Sequence, residues 1–397
     1  MPWYWCYGGT NRCNDFYNYF GYLSERKQEN HIMKIAFFYR ELDQGGIQRM
    51  LIDCTNYFAE NGYDVSFVLM KRSDDYHELL NNKVKVIYFE SIKKAHLYRS
   101  FANILKREQF DVLYSATPAL NIFTIMTKML SGTKTKIIIS EHNNTLVFFR
   151  NMNFTVSKLT YLTIPLLYRF ADGIIAVSKG VGEGLRKVAL IPENKIRVIH
   201  NPAYSPIIKE QLKQKAEHRW FNEAEIPIFI TVGRLTEAKN HDLLLDAMSL
   251  VVKTRKARLM IIGEGHLRED LQNKIKALNL TDSVDLVGFI VNPVAWMSKA
   301  DVFVLSSNYE GFGIVLVEAL AAGTTIVSTD CDYGPEEILD TRYGYLVPVG
   351  NAVELAKKME YALDHPLQKE LLIQRAEQFS VDHIMKQYTN MFDSMVS

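Results

Sequence analysis

From Met33 onward the chain repeats one arrangement: a short β-branched or aromatic run, a turn, then a longer amphipathic segment. Strand runs read at Ile35–Tyr39, Val65–Met70, Val84–Phe89, Val112–Ser115, Lys136–Ser140 and Gly173–Val177, with amphipathic segments such as Ile47–Glu60 and Leu97–Gln109 between them. A second series follows at Ile228–Val232, Arg258–Ile262, Val284–Val287, Asp301–Leu305, Thr325–Ser328 and Gly344–Pro348. Strand alternating with helix predicts parallel sheets flanked by helices, an α/β architecture of the doubly wound kind, twice over. A chain of 397 residues exceeds what one core usually holds, so two domains are expected. The break is expected within 196–218, where two prolines and then a charged segment interrupt the alternation. Two open parallel sheets, each with a carboxyl edge, are expected to face each other across a cleft.

Composition narrows the setting. The formal net charge is +1, which gives no global attraction to nucleic acid. The 4 cysteines (Cys6, Cys13, Cys54, Cys331) have neither metal-ligand spacing nor the density of a disulfide framework, which fits a reducing, cytosolic compartment. No stretch approaches the ~20 apolar residues of a spanning helix. Residues 1–32 are aromatic and asparagine-rich without period, and they lack the basic-then-apolar order of a signal peptide. They read as an appendage.

Four places carry charge or glycine where chemistry would need it. In "SSNYEGFGIVLVEALAAG", Glu310 follows a strand, Gly311 and Gly313 supply a turn, and Glu318 lies in the early turns of the next helix. The carboxyl edge of an open α/β sheet is where ligands bind, and helical side chains lean back toward the amino end. Two carboxylates converging on one ligand and a plain helix with a favourable acid both fit this spacing. Arg234 and Lys239 in "TVGRLTEAKN" flank a loop before a helix, which suits a diphosphate clamp or a solvated pair. Gly45 and Gly46 open another helix at a strand end, where free amides face any anion. His142 in "SEHN" stands beyond a further strand end, a position shared by structural histidines and catalytic ones.

Two motifs are set aside. "SKGVGEGL" has Leu185 where a dinucleotide fingerprint needs its last glycine, and Asp330-Cys331-Asp332 lacks a third ligand for a divalent ion. Two segments suit an anionic membrane surface: the basic amphipathic segment 91–107 with Lys93, Lys94, Arg99, Lys106 and Arg107, and the aromatic stretch 148–170. A solvated helix and a core helix are the plainer readings of the same two segments.

Taken together, "VGRLTEAKN", "GEGHLREDL", "DSVDLVGFI", "ADVFVLSSNYEGFGIVLVEALAAG" and "GYLVPVGN" resemble, in order and spacing, the donor half of the retaining glycosyltransferases of family 4, which have the GT-B fold. "GGIQRMLIDCTNYFAENGYDVSFVL" and "SEHN" resemble its acceptor half, and "FSVDHIMKQY" its last helix, which crosses back to the first domain. The resemblance implies an acceptor-side domain over 33–205, a nucleotide-sugar domain over 206–377 and a returning helix over 378–397. It implies that Glu310 holds hydroxyls of the transferred sugar and Glu318 the ribose, while Arg234 and Lys239 bind the diphosphate. Amides of Gly311, Phe312, Gly313 and Ile314 would assist, Gly46 would approach from across the cleft, and His142 would line the sugar pocket. Phe289 and Ile290 would meet the nucleobase. No metal and no cofactor are expected beyond the nucleotide sugar itself, with UDP-sugars the expected class. The implied activity is transfer of a hexose or N-acetylhexosamine to a lipid-linked or surface-polysaccharide glycan at the cytoplasmic face of the membrane. A soluble acceptor, or nucleotide-sugar binding without turnover, is the alternative. Gln48 departs from the acidic residue that many relatives carry before the arginine in "GGAER".

Overall fold

Every strand run pairs with neighbours that run the same way. The computed structural model describes residues 32–396 apart from 43–44, 73–76, 92, 94–95, 143–155, 190 and 224. The appendage, Lys94 and the first part of the 148–170 stretch therefore lie outside the described residues, Ile32 excepted. The first sheet contains β1 (Lys34–Tyr39), β2 (Asp64–Leu69), β3 (Lys85–Tyr88), β4 (Val112–Ala116), β5 (Lys136–Glu141), β6 (Gly173–Ala176) and β7 (Ile196–Val198). Its order is β3-β2-β1-β4-β5-β6-β7, all parallel. The second sheet contains β8 (Ile228–Val232), β9 (Arg258–Ile262), β10 (Val284–Gly288), β11 (Val302–Leu305), β12 (Thr325–Thr329) and β13 (Tyr345–Val347). Its order is β10-β9-β8-β11-β12-β13, again parallel.

The helices that matter for the site are α1 (Gly46–Glu60), α2 (Leu97–Glu108), α3 (Pro118–Ser131), α4 (Val156–Leu167), α5 (Lys179–Ala189), α6 (His241–Thr254), α7 (Ile314–Ala322), α8 (Pro335–Leu339) and α9 (Val381–Val396). Alternation along β1 shows why both faces are covered. Phe37 packs toward Phe58 of α1 and Tyr114, while its neighbour Phe38 packs toward Phe101 of α2 and Phe123 of α3. The last helix, α9, lies on the first sheet: Phe392 stacks on Phe58 at 5.2 Å and Tyr388 meets Tyr114 at 5.9 Å.

The strand runs read from the sequence pass over one element, ahead of the break expected within 196–218: Ile196–Val198 pairs with β6 as the edge strand β7. Three residues with an exposed Arg197 between them are too short a run to carry a period. The described part of the 148–170 stretch forms α4 and a following 3-10 turn, Tyr168–Phe170.

Candidate active site

In both sheets the turns at the carboxyl edge of the central strands are held together by side-chain hydrogen bonds. After β8 the chain turns through residues 233–240 into α6, where Asn240 adopts φ 46 and its side chain caps Leu243 N–H. Asn308, beyond β11, ties the two turns: its side chain donates to Glu237 O at 2.8 Å, and its backbone N–H donates to Ala238 O at 2.8 Å. Asn240 donates in return to Asn308 Oδ1 at 2.9 Å, and Ser306 Oγ donates to Lys239 O at 2.9 Å. These bonds join the two turns into one frame.

On this frame Lys239 Nζ meets Glu310 Oε1 at 2.5 Å, and Ser307 Oγ donates to the same oxygen at 2.6 Å. Both ionic side chains are largely withdrawn from solvent, at 22% and 11% exposure. Arg234 stands exposed at the end of β8 and forms no ion pair with another described residue; its charge is felt at Tyr309. Glu318 differs from Glu310. It is partly buried on α7, and burial pushes its pKa up against the opposing charges of Arg49 and Lys239.

The turn between them begins α7 at Gly313, whose φ of 93 disfavours any side chain. Gly311 is buried, and its carbonyl accepts from Ser178 Oγ at 2.8 Å, a bond from the carboxyl end of β6 in the other sheet. Phe312 turns its ring away from the cleft edge, stacked on His200 at 5.1 Å and edge-on to Phe379 at 5.6 Å. Only its backbone is available to a ligand. Ile314 closes the turn: a Cβ on Gly46 would lie 3.6 Å from Ile314 Cδ1, so the α1 and α7 amino ends approach across the cleft.

His142 follows β5, next to β6 in the first sheet. It is 7% exposed, and burial lowers its pKa to about 3, so the ring is neutral. Ser140 Oγ lies 2.7 Å from Nε2, while Nδ1 is buried without a partner among the described residues. The adjacent Glu141 is fully buried and accepts from Tyr168 and, at 2.9 Å, from Asn121. Burial raises its pKa to about 7, opposed by those two bonds. Phe289 and Ile290 lie beyond the edge strand β10, Phe289 48% exposed and Ile290 partly buried. Asp330 and Asp332 are exposed on either side of buried Cys331, and the described residues hold no cluster of three metal-binding side chains.

The sequence motifs do not single out several residues that the geometry places here. Arg49, one turn into α1, has a buried Nη2 without a hydrogen-bond partner among the described residues and faces Glu318 electrostatically. Glu337 of α8 accepts from the Lys179 and Gly180 amides that start α5, at 3.0 and 3.3 Å, and pairs with His200 at 3.1 Å. Burial would raise the pKa of Glu337, but the bonds from His200 and these amides hold it below the usual carboxylate range. Two glycines of "SKGVGEGL", Gly180 and Gly182, serve packing. A Cβ on Gly180 would fall 1.5 Å from the Tyr333 ring, and one on Gly182 3.4 Å from Ala176.

Comparison with known proteins identifies the family and the fold. The family described as "Glycosyltransferase Family 4" matches residues 44–203, and "Glycosyl transferases group 1" matches residues 213–379. A Campylobacter jejuni N-acetylgalactosamine-N,N'-diacetylbacillosaminyl-diphospho-undecaprenol 4-alpha-N-acetylgalactosaminyltransferase is 30% identical over 345 residues, 84% of this chain and 91% of its own. Among solved structures, Anabaena Alr3699/HepE in complex with UDP-glucose superposes with a TM-score of 0.75 at 20% identity, covering 91% of this chain and all of its own. A glycosyltransferase from Rickettsia africae superposes with a TM-score of 0.75 at 18% identity, over 92% of this chain and 99% of its own. The chain belongs to family 4 of the glycosyltransferases and has their two-domain GT-B fold.

Proposed function

We propose that this glycosyltransferase moves a hexose or N-acetylhexosamine from a UDP-sugar to a lipid-linked or surface-polysaccharide glycan, with retention of anomeric configuration. The observation that carries the reading is the gathering of Arg234, Lys239, Glu310 and Glu318 at one strand edge, opposite the Gly45–Gly46 turn. Relatives support the choice of partners. The Campylobacter relative's name specifies a diphospho-undecaprenol-linked acceptor, HepE is solved with UDP-glucose, and a Rhizobium meliloti relative is named for lipopolysaccharide core biosynthesis.

In this reading residues 33–205 form the acceptor-side domain, 206–377 the donor domain, and 378–397 the helix that returns to the first. The donor's diphosphate lies between the α7 amides from Gly311 to Ile314 and the backbone of Gly46. As the bond from the anomeric carbon to phosphate breaks, negative charge grows on the leaving diphosphate. Arg234 and Lys239 stabilise that charge, and preorganised groups cost no rearrangement at that moment. The acceptor hydroxyl attacks the face the phosphate leaves, and its proton passes to a departing phosphate oxygen. Glu310 holds sugar hydroxyls and keeps Lys239 at the strand edge, Glu318 holds the ribose, His142 lines the sugar pocket, and Phe289 with Ile290 meet the base. No metal is needed where two cations and a helix end already oppose the charge.

Among the described residues no helix is long and apolar enough to cross a membrane. We propose instead that the enzyme works at the cytoplasmic face, resting on anionic lipid. A panel of UDP-sugars assayed with a polyprenyl-diphosphate glycan acceptor tests the reading. An α-linked product by NMR from an α-linked donor, formed in the presence of chelator, is expected. A β-linked product would overturn retention. Loss of activity on chelation with rescue by Mn²⁺ would return Asp330 and Asp332 to consideration.

A further inference from the structure

The two helices that meet across the cleft begin alike. Helix α1 starts after Gly45 and α7 after Gly313; neither has a side-chain cap, and neither carries an acid in its first turn. Their first amides therefore have neither intrahelical acceptors nor a carboxylate of their own beside them. The two ends lie close, since a Cβ on Gly46 would stand 3.6 Å from Ile314 Cδ1. One turn on, Arg49 follows Gly46 and Glu318 follows Ile314. Helical side chains lean toward the amino end, as Gln48 does in folding back over Gly45. Arg49 and Glu318 thus both lean toward the place where the helix ends meet.

Nothing on its own helix claims the Arg49 guanidinium firmly. Its Nη2 is buried without a hydrogen-bond partner among the described residues. Two acids feel its charge, Glu318 across the cleft and Asp53 one turn further along α1. Burial pushes the Asp53 pKa up to about 7 against that charge, so below this pH Asp53 is mostly protonated. A buried N–H without an acceptor is costly, and the planar fork of a guanidinium matches phosphate oxygens. Two uncapped helix ends and a buried guanidinium N–H together suit an anion with several acceptor oxygens.

We infer that Arg49 is a donor-binding residue supplied by the first domain, its guanidinium donating to the diphosphate of the nucleotide sugar, so that this diphosphate ties α1 to α7. This assignment rests on the reading that a UDP-sugar lies with its diphosphate between these helix ends. It adds to Arg234 and Lys239 a third cation, from the opposite side of the cleft. Calorimetry of the full chain with UDP, beside ligand-observed NMR with uridine, which lacks both phosphates, tests it. Arg49→Gln is expected to weaken UDP about 10-fold or more, the worth of a charge-assisted hydrogen bond, while uridine binds as it does to wild type. Arg49→Lys keeps the charge without the fork and should fall between; it carries the same comparison should Arg49→Gln not fold. A guanidinium that merely balances Asp53 predicts instead that Arg49→Gln combined with Asp53→Asn regains UDP affinity. That recovery overturns the inference, as does unchanged UDP affinity, or equal weakening of UDP and uridine, in Arg49→Gln. UDP binding no more tightly than uridine in wild type would overturn the proposed donor site as well, whereas failure confined to the variants leaves that site standing.

Discussion

The two glutamates that bracket the α7 turn occupy different electrostatic settings, and their roles should separate for that reason. Glu310 is already neutralised by Lys239 and held by Ser307, whereas Glu318 sits partly buried with only the more distant charges of Arg49 and Lys239 to favour its ionised form. Glu318→Ala should therefore weaken free UDP as well as the sugar donor, while Glu310→Ala should spare free UDP and damage transfer; calorimetry beside the transfer assay reads both. Equal loss of UDP affinity in the two variants would contradict the division. Lys239→Ala should lower turnover by about 10²-fold or more, since one preorganised donor opposite developing charge is worth that much. Glu141 offers a test of stability. Its folded pKa of about 7 exceeds the ordinary glutamate value of 4.5, so the folded state holds the proton more tightly and loses stability as pH rises between these values. Glu141→Gln mimics the protonated acid. Its Tm relative to wild type should rise from pH 4.5 to pH 7 and then level off. A pH-independent difference would mean that Glu141 ionises freely. The spacing of Glu310 and Glu318, the Arg234–Lys239 pair and His142 are legible from local pattern because turns and helix starts are local. Ser178, Glu337 and Ser307 are not, since a serine or glutamate acquires meaning only from a partner that the fold brings to it from another turn.

At the scale of elements, the strand alternation foretells twelve of the runs in the two sheets and passes over β7, whose three residues are stabilised by pairing with β6 and not by any pattern of their own. The same holds for the contact between α5 and α8. Helix α5 begins with amides lacking intrahelical partners, and Glu337, far along the chain, accepts from two of them. Gly180 is needed at this contact because the Tyr333 ring occupies the place of a side chain, at 1.5 Å from an ideal Cβ. Gly180→Ala should displace Tyr333 and cost about 1–3 kcal/mol of overpacking, seen as a lower Tm. Tyr333 has φ 66, a conformation glycine adopts without penalty, so Tyr333→Gly removes the ring without straining the backbone. Combining the two changes should recover much of the lost Tm. If the double variant is no more stable than Gly180→Ala alone, the clash lies elsewhere and the α5–α8 contact is not set by this pair.

At the scale of the whole molecule, one region of the first domain brings six exposed apolar side chains together. Met126, Met129 and Leu130 of α3 are 36%, 57% and 68% exposed, and Leu162, Leu166 and Phe170, on and just after the adjoining α4, are 51%, 62% and 49% exposed. Spacings of three and four residues put each group on one helix face, and α3 packs between α2 and α4. Tyr98 of α2 reaches Met126 Sδ, joining the apolar strip to the helix that carries exposed Arg99, Lys106 and Arg107. Contiguous apolar side chains bordered by cations fit the boundary of an anionic bilayer, where the apolar centre enters the acyl edge and the cations meet phosphates. The basic segment alone would give binding that salt abolishes; this geometry would give two components. Met129→Asp with Leu166→Asp should remove the part of vesicle binding that survives high salt. Arg99→Gln with Lys106→Gln should remove the salt-sensitive part, each charge being worth on the order of 1 kcal/mol near the surface. Neither pair lies among the donor-site residues, so transfer to a short water-soluble acceptor analogue should be retained while transfer to the lipid-linked acceptor in vesicles falls. Failure of the intact chain to sediment with anionic vesicles at low salt would overturn the membrane reading and favour a soluble acceptor.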